Sequence, residues 1–518
     1  MSVRKIFFNA KVLTQDNLLP EATAFIVEDG NFTKVGSDEE ILSEKNNHDI
    51  LIDLGKKFVI PGFNDAHIHI WKVGNLIHGM LDLRGVKSIT EMQEMISAYA
   101  TKNPQLNWIQ ARGFNEADFV EQRMPTKADL DAIATDKPIC VTRTCAHQII
   151  VNSKALELAE INSNTAVPKG GEMKLLPDGS PAGHFTETAI GLILSKIPKY
   201  TAAELREMIL AAQQQFLQYG ITAATDPAVD RDLLQVYKQM DADGELLIRI
   251  NAIPIRVPDG ANKVYPNPEP YYSDHLVVNT VKFFADGGIS GKTAALIEPY
   301  KNSNEHGVLR LEKNTFQQLA MESQEAGFMI ATHAIGDAAI DMVIDVYTSI
   351  APFNDKNLCH RIEHLGLPTH EHLEAMFKYH ISAIMQPIFI SELGNNFLNY
   401  VPEHYLNYLY PVRSVLDYGV QLALSTDAPV VKSYHPLYNI YAALNRTTSN
   451  GTMISPQQKI TLQEALYAYT MGSALVTGAQ SKMGSVAPGK WADFTVLNGF
   501  NPDPGHVEQT YIAGIAQL

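Results

Sequence analysis

The middle of the chain alternates short apolar runs with longer stretches in which apolar residues recur at helical spacing. This alternation predicts parallel β-strands joined by α-helices. The first strand is expected to start at 58, and the others are expected at 221–226, 247–253, 278–285, 328–333, 358–365, 381–386 and 421–427. Helical patterns such as 202–219 and 315–326 fall between them. Eight parallel strands with intervening helices form a (β/α)8 TIM barrel, which is the α/β fold we predict.

The interval between the first two predicted strands is about 150 residues, far longer than an ordinary crossover. We therefore predict a subdomain inserted after strand 1, at about 75–185. Both ends of the chain are rich in short apolar runs, with a hairpin signal at Asp29-Gly30 and a turn followed by a strand at 484–497. We predict that 1–57 and 478–518 form one small β-sandwich, which brackets a barrel domain at 58–477.

Composition narrows the class of partner. The chain has 518 residues and a net charge of −16, which argues against nucleic acid or an anionic membrane as the main partner. Its three cysteines form no CxxC pair, which favours a reducing compartment. The N-terminal apolar run is too short for a signal peptide, and no apolar run reaches membrane-spanning length. We expect a cytoplasmic protein with a small-molecule partner, and a homodimer is left open.

Residues that commonly bind metals stand at the ends of four predicted strands, where the active sites of TIM barrels lie. They are His67 and His69 on strand 1, His333 on strand 5, His364 on strand 6 and Asp427 on strand 8. Side chains two apart in a strand share a face, so the first two histidines can hold one ion together. The same spacing at His370 and His372 falls in a stretch typical of a solvated helix. Agreement across four strands favours a metal site over coincidence.

The fourth predicted strand contains Lys282, an isolated charge in an apolar run. Burying an unpaired charge is costly, so this residue needs a partner or a function. One interpretation is a buried ion pair, for example with Asp286. The other is a role in the metal site. His360, deeper in strand 6, is expected to be an ordinary hydrogen-bonded core histidine.

Seven segments spread from end to end form a recognisable set. They are PGFNDAHIH at 61–69, CVTRTCAHQIIVNSKAL at 140–156, VKFFADGG at 281–288, ATHAIGDAAI at 331–340, HRIEHLG at 360–366, LSTDAP at 424–429 and GSVAPGKWADFTVLN at 484–498. With these segments the chain resembles the amidohydrolase superfamily, in its family 3 branch of YtcJ-like and N-substituted formamide deformylase-like metal-dependent hydrolases. The order and spacing of these segments carry the resemblance.

The resemblance implies two divalent metal ions, with zinc expected. His67 and His69 would hold the first ion with Asp427, and His333 and His364 the second. Lys282, carboxylated by CO₂, would bridge both, because a carbamate is an anionic ligand with two oxygens and an ammonium is not.

The implied activity is hydrolysis of a non-peptide C–N bond in a linear amide, such as an N-substituted formamide or an N-acyl compound. A metal-activated hydroxide would attack the carbonyl, and Asp427 would transfer its proton to the departing nitrogen. Arg143 and His147 match the motif in the insert and are candidates for substrate binding. Phe389 and Phe397, in an aromatic-rich segment after strand 7, are candidates for the same role.

Two other functions fit the same sequence. One is a cyclic amidohydrolase or a deaminase on the same barrel, although Lys282 speaks against a deaminase with a single metal. The other is a non-catalytic binding or regulatory protein on a retained barrel. Because such proteins commonly lose ligands and none is missing here, we rank this last.

Overall fold

Parallel strands run in sequence through the centre of the chain, as the apolar pattern predicts. The computed structural model describes residues 4–258, 263–499 and 507–517. The parallel strands, numbered 1 to 8 in chain order, are Phe63–Asp65, Ile221–Val229, Arg249–Pro254, Leu276–Val278 continued by Thr280–Phe284, Met329–Ala334, Arg361–His364, Ser382–Met385 and Leu422–Leu424. This arrangement is a TIM-barrel-type α/β fold.

Helices connect and cover these strands. The helix Ala202–Gln218 begins with a capping box, in which Thr201 accepts from the backbone of Glu204 and the Glu204 carboxylate accepts from the backbone of Thr201. The other helices of this region are Ile70–His78, Arg231–Ala242, Lys313–Glu325, Asp337–Ile350, His370–Lys378, Ile388–Tyr400, Val412–Asp417, Pro436–Asn445, Leu462–Tyr467 and Ser473–Val476. Among the described residues, no helix has the length and apolar character needed to cross a membrane.

The parallel strands form two sheets that meet within strand 4. Its first segment, Leu276–Val278, pairs with strand 3, and its second segment, Thr280–Phe284, pairs with strand 5. The backbone nitrogen of Arg256 donates to the carbonyl of Lys282 at 3.1 Å, which extends the contact with strand 3 past the break. The fourth predicted strand is therefore present but interrupted at Asn279.

Strands 1 and 8 meet through single backbone hydrogen bonds beyond their ladders. Ala66 donates to the carbonyl of Leu424 at 3.3 Å, and Asp427 donates to the carbonyl of His67 at 2.7 Å. The parallel strands lie in two five-stranded sheets, one of which includes the short antiparallel strand Tyr271–Tyr272. The second contact fixes the backbones of His67 and Asp427 side by side.

The first predicted strand is two strands with one residue, Gly62, between them. Phe58–Pro61 pairs with a C-terminal strand in a terminal sheet, and Phe63–Asp65 pairs with strand 2. Gly62 lies at the change of sheet, where an added Cβ would lie 2.1 Å from the hydroxyl oxygen of Thr222. The prediction of one continuous strand as far as His69 is wrong, because His69 caps the following helix.

The two ends of the chain share a pair of β-sheets. Strand Phe494–Leu497 pairs with Phe58–Pro61, which joins the C-terminal segment to the N-terminal one. The remaining strands are Lys5–Phe8, Ala24–Glu28, Asn31–Gly36 and Ile50–Asp53 in one sheet, and Lys11–Leu13, Glu21–Ala22, Val507–Ile512 and Ile515–Gln517 in the other, with a short helix at Asp38–Leu42. The predicted hairpin is confirmed, since Asp29 and Gly30 form its turn with φ of 49° and 76°.

Arg249, at the start of parallel strand 3, ties the central region to the C-terminal segment. Its guanidinium nitrogens lie 2.5 and 3.0 Å from the carboxylate oxygens of Asp493. The guanidinium also lies 3.7 Å from the ring centre of Trp491. Both members of the ion pair are buried, so it is shielded from solvent.

A six-stranded sheet occupies the long interval between parallel strands 1 and 2. Its strands are Leu81–Asp82, Ile109–Phe114, Ile139–Arg143, Gln148–Val151, Gly171–Leu175 and Pro181–Glu187, and its helices are Ile89–Lys102, Lys127–Asp131, Ser153–Leu158 and Gly191–Leu194. It contacts the central region where the Thr144 hydroxyl donates to the carbonyl of Val430 at 2.8 Å. This contact brings the turn at 144–147 to the carboxyl ends of the parallel strands. The domain boundaries themselves stay a prediction.

Candidate metal centre

The predicted metal ligands lie together at the carboxyl ends of the parallel strands. The Nε2 atoms of His67 and His69 lie 3.4 and 3.3 Å from the same carboxylate oxygen of Asp427. The ring of His364 lies 4.9 Å from that of His67 and 4.5 Å from that of His333, measured between ring centres. All five side chains are buried.

One group of three residues has the geometry of a metal site. His67, His69 and Asp427 can each offer a ligand atom such that all three atoms lie within 4.8 Å of one another. Two imidazoles and a carboxylate suit zinc and similar divalent ions. His333 and His364 lie beside this group and are not part of it.

The backbone around Asp427 explains its position. Asp427 follows strand 8 with a φ of 58°, in the left-handed region that residues other than glycine rarely adopt. The preceding Thr426 donates its hydroxyl hydrogen to the carboxylate of Asp65 at 2.8 Å, which anchors this turn to strand 1. The turn is held by tertiary contacts, and it aims the Asp427 carboxylate at the two histidines.

Each of the four histidines has a protein oxygen beside one ring nitrogen, which leaves the other nitrogen available to a metal. The contacts are His67 Nδ1 with Glu363, His364 Nδ1 with Gln386 Oε1 at 2.8 Å, His333 Nε2 with the carbonyl of Gly287 at 3.1 Å, and His69 Nδ1 with Asp226 Oδ1 at 3.9 Å. The first three contacts are at hydrogen-bond distance and fix the orientation of their rings before any ion binds. The 3.9 Å between His69 and Asp226 is too long for a hydrogen bond.

The sequence analysis missed these supporting residues, although two of them carried a signal. The predicted strands at 221–226 and 381–386 end at Asp226 and Gln386, which are the last polar residues of their strands. Their position at the strand ends is the same signal that marks His333 and Asp427. Glu363 had no such signal, since it precedes a histidine inside a strand.

Burial sets the protonation of these groups in the metal-free protein. It lowers the pKa of His67 to about 4, so the ring is neutral and keeps a lone pair for a metal. It raises the pKa of the Asp427 carboxyl to about 8, because the loss of water outweighs the attraction of Lys282, Lys72 and Arg112. A carboxyl and neutral imidazoles that share a dry site are the donors expected of a metal centre.

Lys282 is fully buried at the base of this cluster. Its ammonium nitrogen has no hydrogen-bond partner among the described residues and lies 4.7 Å from the ring centre of Phe284. Burial lowers the pKa of its amine to about 8. Asp286 accepts hydrogen bonds from the backbone nitrogens of Ala295, Ile335 and Gly336 and is not paired with it. The ion-pair interpretation therefore has no supporting contact.

The predicted substrate-binding residues divide into two groups. His147 lines a cavity of about 70 Å³ that opens onto the ligands, and its Nδ1 lies 2.9 Å from Glu187 Oε2. Phe389 and Phe397 line an adjoining cavity of about 20 Å³. Arg143 instead donates to the carboxylate of Glu116 and to the carbonyl of Ser290, and lines neither of these cavities among the described residues.

His360 behaves as an ordinary core histidine, as the sequence predicts. Its Nε2 lies 2.9 Å from the side-chain oxygen of Gln324, and its Nδ1 accepts from the backbone of Ile330. Both ring nitrogens are used within the protein, and neither points to the ligand cluster.

The chain is similar in sequence and structure to known proteins. The sequence profile of the amidohydrolase family matches residues 51–516. YtcJ of Bacillus subtilis (strain 168) is 29% identical over 93% of this chain and 92% of its own. The N-substituted formamide deformylase of Arthrobacter pascens is 27% identical over 95% of this chain and 93% of its own. A crystal structure of an uncharacterized metal-dependent hydrolase from Pyrococcus horikoshii OT3 superposes with a TM-score of 0.76 at 24% identity, covering 96% and 98% of the two chains.

Proposed function

The chain belongs to the amidohydrolase family, and from this premise we propose that it hydrolyses a linear amide with two divalent ions, zinc being the expected metal. The family makes it a metal-dependent hydrolase of carbon–nitrogen bonds, and the resemblance noted in the sequence is confirmed. The observation that carries the proposal is the convergence of five ligand-type side chains above one unpaired, buried lysine.

The proposed ligand set follows from the contacts. His67, His69 and Asp427 hold the first ion, which is supported by their mutual distances. His333 and His364 would hold the second, which is supported by the edge-to-face contact of their rings beside the first group. Lys282, as a carbamate, would be a ligand to both ions. Two observations support this role. Burial lowers the pKa of the Lys282 amine, and its nitrogen has no hydrogen-bond partner among the described residues.

In the proposed reaction, the bound ions supply Lewis-acid polarisation and activation of water. Asp427 accepts the proton that the attacking water loses as its oxygen bonds to the amide carbon. The same carboxyl then gives this proton to the departing nitrogen, because an amide anion is a very poor leaving group. The C–N bond breaks to leave a carboxylic acid and an amine. Glu363 and Gln386 keep the rings of His67 and His364 in place.

An N-substituted formamide, or another N-acyl amide with a short acyl group, is the proposed substrate. The 20 Å³ cavity beside the ligands, bounded by Phe389, Phe397 and Tyr410, has room for little more than a hydrogen or a methyl group on the carbonyl. One relative is named N-substituted formamide deformylase, and a formyl group would fit a cavity of this size. His147 borders both cavities and is the proposed contact for the amide itself.

The wider architecture is proposed on the same basis. The two parallel sheets act as one eight-stranded barrel at 58–477, with an insert at about 75–185 and a sandwich formed by 1–57 and 478–518. The backbone hydrogen bonds at both seams support closure of the barrel. A cytoplasmic location and a homodimer stay predictions.

Metal analysis combined with an amide panel tests the function. Protein prepared without chelator should contain more than one equivalent of divalent ion, and chelation should abolish turnover. The panel compares formamides, N-acyl amino acids and cyclic imides, and we expect the formamides to be hydrolysed fastest. One equivalent of metal with Lys282 unmodified would contradict the two-metal centre, and preference for cyclic imides would contradict the substrate class.

A further inference from the structure

A second and much larger cavity adjoins the metal centre. Its volume is about 660 Å³, against about 70 Å³ for the cavity that opens onto the ligands. Phe284 and Arg310 line both cavities and form the boundary that the two cavities share. Pockets that bury a whole small-molecule ligand are typically of roughly 300–1,000 Å³, a range that only the larger cavity reaches.

At this shared boundary, the side chains of Phe284 and Arg310 pack against each other. The guanidinium of Arg310 lies 4.7 Å from the ring centre of Phe284, in a cation–π contact. A nitrogen of Arg310 also lies 3.4 Å from the buried carboxylate of Glu187. The Phe284 ring also lies 5.3 Å from the ring of His333, measured between ring centres. A residue that lines the large cavity is therefore next to a proposed metal ligand.

The body of the large cavity is apolar. Val257, Leu311 and Met342 line it, and so do Val264 and Leu309. The last two side chains are 43% and 42% exposed, which is unusual for large apolar groups gathered in one concave site. A bound apolar group would cover them and gain the associated free energy of burial.

Charges at the rim are balanced within the protein. Lys313 pairs with Asp345 at 2.6 Å, and Lys169 pairs with Glu312. Arg310 is offset by Glu187, as described above. Lys263 and Asp341 also line the cavity and carry one charge of each sign. The basic and acidic groups around the cavity are therefore equal in number when Glu187 is included, and the cavity suits a neutral group.

We propose that this cavity binds the nitrogen substituent of the substrate, and that the substituent is a bulky, neutral, apolar group such as an aryl or long alkyl chain. The inference rests on the proposed amide hydrolysis and adds the part of the substrate that the metal-site cavity cannot contain. Phe284 and Arg310 then act as specificity-determining residues, since the substituent passes over their stacked faces on its way from the scissile nitrogen.

Two substitutions place a large side chain in the cavity. Thr315→Trp acts from the exposed start of the helix Lys313–Glu325, and Ala338→Phe acts from the helix Asp337–Ile350. Asn314→Trp is the matched control, because Asn314 is exposed beside Thr315 and does not line the cavity. Melting temperatures of the metal-loaded proteins check that each variant is folded. Should Ala338→Phe prove unstable, the surface variant Thr315→Trp decides.

The assay compares kcat/KM for N-(2-naphthylmethyl)formamide and N-methylformamide. In the wild type, we expect the bulky amide to be favoured by roughly 10-fold or more, as for other apolar pockets. Both filling variants should lower this ratio by about 10-fold, mainly through KM, and the control should keep it. An unchanged ratio in the filling variants, or an equal loss in the control, overturns the proposal.

A second substrate pair tests neutrality. N-formylphenylalanine amide should be preferred over N-formylphenylalanine, and the reverse preference would show that the cavity recognises an anion. If no amide is hydrolysed, the proposed function fails, and the cavity is tested by equilibrium binding of N-(2-naphthylmethyl)formamide. Binding that the filling variants lose and the control keeps supports the proposal, and equal or absent binding in all proteins overturns it.

Discussion

Replacing Lys282 by methionine should have opposite effects on stability in the metal-free and the metal-loaded protein. Methionine keeps most of the side-chain volume and removes the charge, so the packing of strand 4 is preserved. In the metal-free protein the lysine is a buried charge without a hydrogen-bond partner among the described residues. In the metal-loaded protein it is the proposed bridge between two ions.

The pKa of Lys282 sets the size of the effect. Burial lowers this pKa from 10.5 to about 8, net of attraction to nearby carboxylates. Each pKa unit corresponds to about 1.4 kcal/mol, so charged Lys282 costs the metal-free protein about 3 kcal/mol. A folded pKa below the unfolded one means that this cost is complete below pH 8 and disappears as the pH rises towards 10.5. The advantage of the variant should therefore shrink across that window.

The measurement is the urea unfolding midpoint of wild type and Lys282→Met, each metal-free and metal-loaded, at pH 7.5 and pH 10. Metal-free Lys282→Met should be the more stable protein at pH 7.5, by less at pH 10. Adding metal should raise the urea midpoint of the wild type far more than that of Lys282→Met, since an ion that binds only the folded state stabilises that state. Lys378→Met, at an exposed lysine, is the control and should shift little in either state.

Two results would refute this reasoning. If metal-free Lys282→Met is less stable than wild type at pH 7.5, the amine is paired and its burial is not costly. If metal stabilises both proteins equally, Lys282 is not a ligand and the bridge is absent.

Three further substitutions probe the site and its support. Asp427→Asn should lower kcat by about 10²-fold or more and leave most of the metal bound, because the amide keeps a ligand oxygen and loses the proton acceptor. Glu363→Gln should weaken metal affinity by about 10- to 100-fold, since Glu363 orients His67, and chelator competition measures it. Arg249→Ala should destabilise the fold by about 3–5 kcal/mol without changing metal content, because it leaves Asp493 buried and unpaired.

Each of these has a contradicting outcome. Turnover of Asp427→Asn near the wild-type level would place the proton acceptor elsewhere. Unchanged affinity in Glu363→Gln would mean that the His67 ring is held by other contacts. A melting temperature of Arg249→Ala equal to that of wild type would show that the contact with the C-terminal segment contributes nothing.

Local patterns in the sequence were enough for several elements. Asp29-Gly30 predicts its hairpin because these two residues tolerate the positive φ that a tight turn requires. The helix at 202–219 is found as Ala202–Gln218, since its apolar spacing and the Thr201–Glu204 capping box both act within one or two turns. The strand predicted at 328–333 is found as Met329–Ala334, since a short apolar run is a local signal.

Other features depend on residues far apart in the chain. The run from Phe58 was predicted to be one strand in spite of its Pro-Gly pair, yet Gly62 divides it between two sheets because Thr222, on another strand, lies against it. Arg143 looked like a substrate contact from its motif, but the structure pairs it with Glu116, and no local signal marks that partner.

The sequence by itself determined the alternation of strands and helices, the family, and which residues could bind metal. The tertiary structure decided how these residues are arranged: the turn that aims Asp427 at His67, and the burial that leaves Lys282 without a partner. It also revealed the cavity bounded by Phe284 and Arg310. The physical reason is the distance along the chain over which each kind of interaction acts. Strand and helix preferences act over a few residues, whereas ligand distances, burial and cavity shape depend on packing between segments hundreds of residues apart.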